Sequence, residues 1–104
     1  MSYEVRVSRR AARQVRTVAS WWLVHREKAP LAFATDLEDA FQLAAELPRA
    51  AEPVHHPTIR ELRRLLLSRT SHLLYYTVDD SSRTVDVLAL WHSSRAAGPP
   101  LTER

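Results

Sequence analysis

Three runs in the second half of the chain are rich in strand-forming residues: Ile59–Leu67 (IRELRRLLL), His72–Val78 (HLLYYTV) and Thr84–His92 (TVDVLALWH). Only SRTS and DDSSR join them. Parallel neighbours need a long crossover, whereas connectors this short turn a strand straight back on itself. The sequence therefore dictates an antiparallel meander before anything else. Tyr75 and Tyr76 are adjacent in the middle run, so they face opposite sides of the sheet.

The first half supplies what covers such a sheet. Residues 3–7 (YEVRV) alternate and read as a short strand with one buried face. Ser8 stands where a helix N-cap belongs. Ala11, Val15, Val18 and Trp22 then recur at spacings of four, three and four, with Ala12, Ala19 and Leu23 widening the stripe. The first helix is expected from about Arg9 to Arg26. Pro30 suits a second helix start, and Phe33, Leu37, Ala40, Phe41, Ala44 and Leu47 form its apolar face up to Pro48. Asp36, Glu38 and Asp39 place negative charge early in that helix, where the dipole favours it. Residues 48–58 (PRAAEPVHHPT) hold three prolines and no periodicity, and read as a surface loop. The expected fold is α+β, in the order β-α-α-β-β-β, with a helical hairpin packed on one face of a small, mainly antiparallel sheet. Trp22, Leu37, Phe41, Leu74 or Tyr75, and Leu88 or Leu90 should share one core. The whole chain, 1–104, reads as a single domain with a flexible tail over 96–104.

Composition narrows the chemistry. The absence of cysteine excludes disulfides and thiolate-bound zinc. The one glycine, Gly98, excludes a glycine-rich phosphate loop. No apolar run approaches the roughly 20 residues of a membrane span, and the N-terminus lacks a signal-peptide core, so a cytoplasmic location is expected. The net charge is +3, carried almost wholly by arginine, with Lys28 the one lysine. An acidic partner, nucleic acid or protein, fits that balance.

Five histidines are present, but none is paired at metal-ligand spacing, so no metal and no cofactor are expected. The arginines carry more weight. Arg60 and Arg64 share one face of their run, Arg63 shares the other with Glu61, and Arg69, Arg83 and Arg95 lie at run ends. Some should converge on the sheet face left open by the helices, where they could hold phosphate. Arginine supplies charge but is a poor proton donor or acceptor. Catalysis would need His72, Glu61 or His92 beside it. Arg63, Arg64, Arg69, His92 and Arg95 are the catalytic candidates on this reading. Contact candidates are Arg9, Arg13 and Arg16 on one helical face, Trp21, Tyr76, Trp91, His92 and Arg95. Trp21 lies near the edge of the apolar stripe and is expected to flank the core, with an interface anchor as the alternative.

YEVRVSRRAARQV at the start, the helix ending at Leu47-Pro48, and above all RRLLL, HLLYYTVD and VLALWHSSR resemble the RelE/ParE superfamily of bacterial type II toxins over nearly the whole chain. The resemblance implies a cytoplasmic toxin that a small antitoxin neutralises by laying a C-terminal segment across it. It implies one of two targets. RelE-like members cut mRNA on the ribosome with basic sheet residues and, in many, a late tyrosine. ParE-like members bind DNA gyrase and poison it without being enzymes. No tyrosine follows Tyr76 here, and VLALWHSSR looks more ParE-like. The expected activity is therefore gyrase inhibition by binding. Ribosome-dependent mRNA cleavage, or a degenerate toxin that binds only its antitoxin, are the alternatives.

Overall fold

The structure, a computed structural model, describes residues 2–95 and 98–102. The three C-terminal runs pair in sequence order, as their short connectors require. β3 (Leu62–Leu67) lies antiparallel to β4 (His72–Asp79), and β4 lies antiparallel to β5 (Thr84–His92). β1 (Glu4–Val7) adds to β5 in parallel, with Val5 opposite Val85 and Val7 opposite Val87. A fifth strand, β2 (Glu52–Pro53), pairs with Arg64 and Arg63 of β3 inside what the sequence presents as loop. The sheet order is β1-β5-β4-β3-β2. Helices α1 (Arg9–His25) and α2 (Ala32–Glu46) join β1 to the far edge. The α+β class and the helical hairpin over a mainly antiparallel sheet are thus as expected. None of the helices among the described residues is long and apolar enough to cross a membrane.

Ser8 fixes the turn from β1 into α1. Its hydroxyl oxygen accepts the Ala11 amide at 3.1 Å, its own N–H donates to the Val87 carbonyl at 3.0 Å, and the hydroxyl reaches the Leu88 carbonyl at 3.3 Å. The cap therefore ties the helix start to β5 as well as satisfying an orphan amide. Ala11, Val15, Val18, Ala19 and Trp22 pack on the core, but Leu23 stays exposed, so the stripe is narrower than its sequence suggests. α2 starts at Ala32 rather than Pro30, because residues 29–32 form a turn closed by the Ala32 N–H on the Ala29 carbonyl. Asp36 is buried rather than exposed (3%). It accepts the amide and hydroxyl of Thr70, both at 2.9 Å, and one Arg69 N–H at 2.9 Å. A buried carboxylate survives only when its oxygens are satisfied in this way, and here it clamps α2 to the β3–β4 turn.

The core has two parts. On the helical side, Phe33, Ala40, Ala44, Leu67, Leu74, Tyr76, Val78, Val85, Val87 and Leu90 pack together with Trp22, Leu37 and Phe41. The other face is not open. Ile59, Leu62, Tyr75, Leu88 and Ala89 form a second buried cluster with Val54, Leu73, Trp91 and Leu101. The segment before β3 and the end of the chain cover it. Tyr75 and Leu88 belong to this cluster, so Leu74 and Leu90 are the strand residues that share the helical core. Both tyrosines are buried, on opposite faces. A bulge in β5 explains why the run loses its alternation. Tyr75 pairs with Ala89 and Tyr76 with Val87, leaving Leu88 unpartnered. Val85, Val87 and Leu90 then face the helices while Leu88, Ala89 and Trp91 face away.

β3 begins at Leu62, not Ile59, because Glu61 has a positive φ of 55°. Ser71 and Arg83 also have positive φ, at 60° and 53°. Each of the three stands just before a strand or at its mouth, where a glycine would be the ordinary choice. The chain's one glycine lies elsewhere, near the hydroxyl of Tyr75.

Candidate functional site

β4 begins and β5 ends with a histidine, and the antiparallel register sets His72 opposite His92. The two rings lie 5.0 Å apart, nearly perpendicular, where α1 crosses this end of the sheet. β1 stops at Val7, so β5 beyond Val87 has lost its parallel neighbour. α1 takes over: Gln14 Oε1 accepts the Leu90 N–H at 2.8 Å. The helix and the end of β5 thus bound a groove along α1.

The groove has two continuous sections of ≈ 500 and ≈ 520 Å³ that share Thr17, Val18, His72 and His92. Arg10, Arg13, Arg95 and Pro100 line one section, and Trp21, Trp22, Arg26 and Arg69 the other. None of the described lining residues is acidic. Helical spacing explains the wall: residues 10, 13–14, 17–18 and 21–22 fall on one side of α1. Arg10 donates to the Pro100 carbonyl at 2.8 Å, and the Arg95 guanidinium stacks 4.3 Å from the Trp91 ring centroid. At the other end Trp21 stacks on His25, their centroids 4.8 Å apart, and Arg26 lies 4.7 Å from the Trp21 centroid.

The two imidazoles differ. His72 is buried, edge-on to Phe33, and its Nδ1 has no hydrogen-bond partner among the described residues. Burial, followed by the proximity of His92, lowers its pKa below the ordinary histidine value. His92 is half-buried, and its Nδ1 lies 2.7 Å from the Ser94 hydroxyl and 3.1 Å from the Ser94 amide. A backbone N–H can only donate, so Nδ1 is the unprotonated nitrogen and Nε2 carries the hydrogen.

The expected catalytic residues do not assemble. His92 and Arg95 line the groove, as does Arg69, which is held by Asp36 at 2.9 Å and Asp39 at 3.1 Å. That hydrogen bonding raises the Arg69 pKa. Arg63 points under the helices and donates to the carbonyls of Arg49 at 3.0 Å and Ala51 at 2.7 Å. It fastens the single 3-10 turn Pro48–Ala50 to β3. Arg64 faces the other way, with its Nε 2.7 Å from Glu52, which raises its pKa above the ordinary value. Glu61 is exposed and pairs with Arg49 at 3.3 Å.

Among the contact candidates, Arg13, Trp21, Trp91 and His92 line the groove, while Arg9 and Arg16 are exposed outside it. Trp21 is 42% exposed and so does not flank the core as expected. Tyr76 cannot serve as a contact in this structure. It is fully buried beneath the helices, its hydroxyl donates to the Pro48 carbonyl at 2.5 Å, and burial pushes its phenol pKa up. Arg10, Gln14 and Arg26 were not singled out from the sequence. Arg10 sits one place from the Arg9–Arg13–Arg16 series, and the only signal was its position on the polar shoulder of the apolar stripe. Of the expected tail over 96–104, residues 96, 97, 103 and 104 lie outside the described residues.

Residues 5–97 match the sequence model of the ParE toxin of type II toxin–antitoxin systems. No curated protein matches the sequence. Among solved structures, the fold is similar to a chain of the RelBE2 toxin–antitoxin complex of Mycobacterium tuberculosis, with a TM-score of 0.64, 24% identity, and coverage of 88% of this chain and 99% of that one. It is also similar to the chromosomal ParDE system of P. aeruginosa, at 0.67 and 13%, covering 86% and 95%. A free-state mutant of the E. coli toxin RelE gives 0.62 and 18%, covering 90% and 86%.

Proposed function

Because the chain belongs to the ParE toxin family of type II toxin–antitoxin systems, we propose that it is the toxin of such a pair, restrained by a cognate antitoxin and acting, when free, by binding DNA gyrase rather than by catalysis. The observation that carries this reading is the dispersal of Arg63, Arg64 and Arg69. One faces the helices, one the opposite face, and one a buried carboxylate, and each is engaged within the chain. A trio so divided cannot stabilise one phosphorane. The antitoxin reading draws support from the similar structures, several of which are toxin–antitoxin complexes. An arginine-lined groove suits an acidic segment. Such a toxin works in the cytoplasm. Purified protein should inhibit supercoiling by the host gyrase, and supercoiling that proceeds unchanged at excess protein refutes the proposal.

The His72–His92 pair favours a second reading, mRNA cleavage on the ribosome. Two imidazoles beside Arg10, Arg13 and Arg95 supply the acid–base groups that arginine lacks. New codon-associated transcript ends after induction would support it, and intact transcripts would end it. Harmless expression of folded protein would leave only antitoxin binding.

A further inference from the structure

The groove along α1 has a chemistry that the choice between the two targets leaves unassigned. One end gathers cations, the other gathers stacked rings, and no described lining residue is acidic. We propose that the groove is a binding site for a single strand of nucleic acid, with phosphates at the Arg10–Arg13–Arg95 end and a base at the Trp21–Arg26 end. This goes beyond the choice of target, since a gyrase cleavage complex and a translating ribosome both hold a nucleic-acid strand.

Three observations converge. First, the charge is one-sided. Arg13 makes no ion pair among the described residues, and Arg10 and Arg95 contact a carbonyl and a ring rather than carboxylates. Their charge remains uncompensated locally, which is what a phosphate row needs. Second, Trp21 is left 42% exposed beside a groove, although burying an indole is ordinarily favourable. His25 stacks on it at 13°, and the Arg26 guanidinium lies over both indoles. Aromatic and guanidinium planes together form the platform on which unpaired bases stack. Third, the length fits. From Arg10 to Trp21 the helix rises ~16 Å, about five nucleotides at stacked spacing. His92 Nε2–H adds a donor midway between the two ends.

A rigid duplex cannot place a base on the platform, because its bases are paired and stacked inward. An acidic protein segment would use the arginines and ignore the platform. These differences make the test. The full-length protein is titrated against fluorescein-labelled dT12, U12 and a 12-base-pair duplex, followed by anisotropy over a range of salt. Binding to one or both single strands, clearly tighter than to the duplex, is expected. A preference between dT12 and U12 identifies DNA or RNA as the source. Trp21→Ala should weaken single-strand binding about 5-fold or more while leaving the salt slope unchanged, and Trp21→Phe should restore most of it. Arg13→Ala should reduce the salt slope by about one. Circular dichroism melts of each variant confirm that the fold is retained. Equal binding to duplex and single strand, no effect of Trp21→Ala, or equal displacement by oligoglutamate of matched charge overturns the proposal. Its failure leaves the gyrase assay standing, and failure of that assay leaves strand binding untouched.

Discussion

The arginines at the β2–β3 edge and those along the α1 groove are chemically identical, yet the chain uses them in opposite ways. Arg63 and Arg64 on β3, and Arg69 in the turn that follows, each bond to a carbonyl or carboxylate of the same chain. Those along α1 face a wall with no acid among its described residues: Arg13 makes no ion pair there, and Arg10 gives one N–H to the Pro100 carbonyl but meets no carboxylate. The difference comes from surroundings rather than residue type. At the edge, β2 brings Glu52 and the Ala51 carbonyl alongside, and α2 brings Asp36. An arginine with such partners is structural. One without them keeps its charge for another molecule.

The sharpest way to break this contrast is to remove the partner of an engaged arginine. Asp36→Ala should leave Arg69 and both Thr70 donors without their acceptor and cost about 3 kcal/mol, read from urea unfolding. A loss below about 1 kcal/mol would mean that the clamp is not structural. Arg63→Ala should follow at about 1–2 kcal/mol, because two carbonyls lose their donor. The groove cations should behave otherwise: Arg13→Ala is expected to stay within about 0.5 kcal/mol in the same assay while altering what the protein binds.

The histidine pair sharpens the contrast through pH. In the unfolded chain His72 titrates near the ordinary value of about 6.5. In the fold, burial and His92 keep it neutral to lower pH. As pH falls below that value, the unfolded chain takes up a proton that the folded chain refuses. Stability contributed by neutral His72 is therefore full above about 6.5, is lost as pH falls toward the lowered folded value, and then levels off. His72→Phe should flatten this part of the profile, and unchanged curvature would place the titration elsewhere. A modest effect of opposite sign concerns the turn between the two arginine regions. Ser71→Gly relieves a left-handed non-glycine residue, and should stabilise by up to about 1 kcal/mol. The thermal midpoint then rises, and a fall would show that Ser71 is held there by contacts worth more than the strain.

Periodicity made the helices legible: Ala11, Val15, Val18 and Trp22 pack where a 3.6-residue repeat places them. The meander was legible because its connectors are so short. β2 was hidden because a two-residue strand containing proline has no period to detect, and its pairing depends on Arg63 and Arg64 elsewhere in the chain. Asp36 reads as a dipole charge because its partners, Arg69 and Thr70, lie more than thirty residues away. The groove was only half legible for the same reason. His92 and Arg95 stand together in sequence, but Arg10 and Trp21 join them only when β1 hands its place beside β5 to α1. Trp21 misleads because a helical wheel gives direction but not depth.

The bulge at Leu88 acts as a phase shift in a two-valued signal. Counted from Thr84 with strict alternation, Ala89 and Trp91 would lie beneath the helices, and Leu90 and His92 would lie on the reverse side. One supernumerary residue inverts the count from there onward. It sends the indole outward and the imidazole in, to meet His72. The facing histidines thus owe their meeting to the parity of a strand interrupted four residues earlier, which the stretch WHSSR read by itself does not reveal.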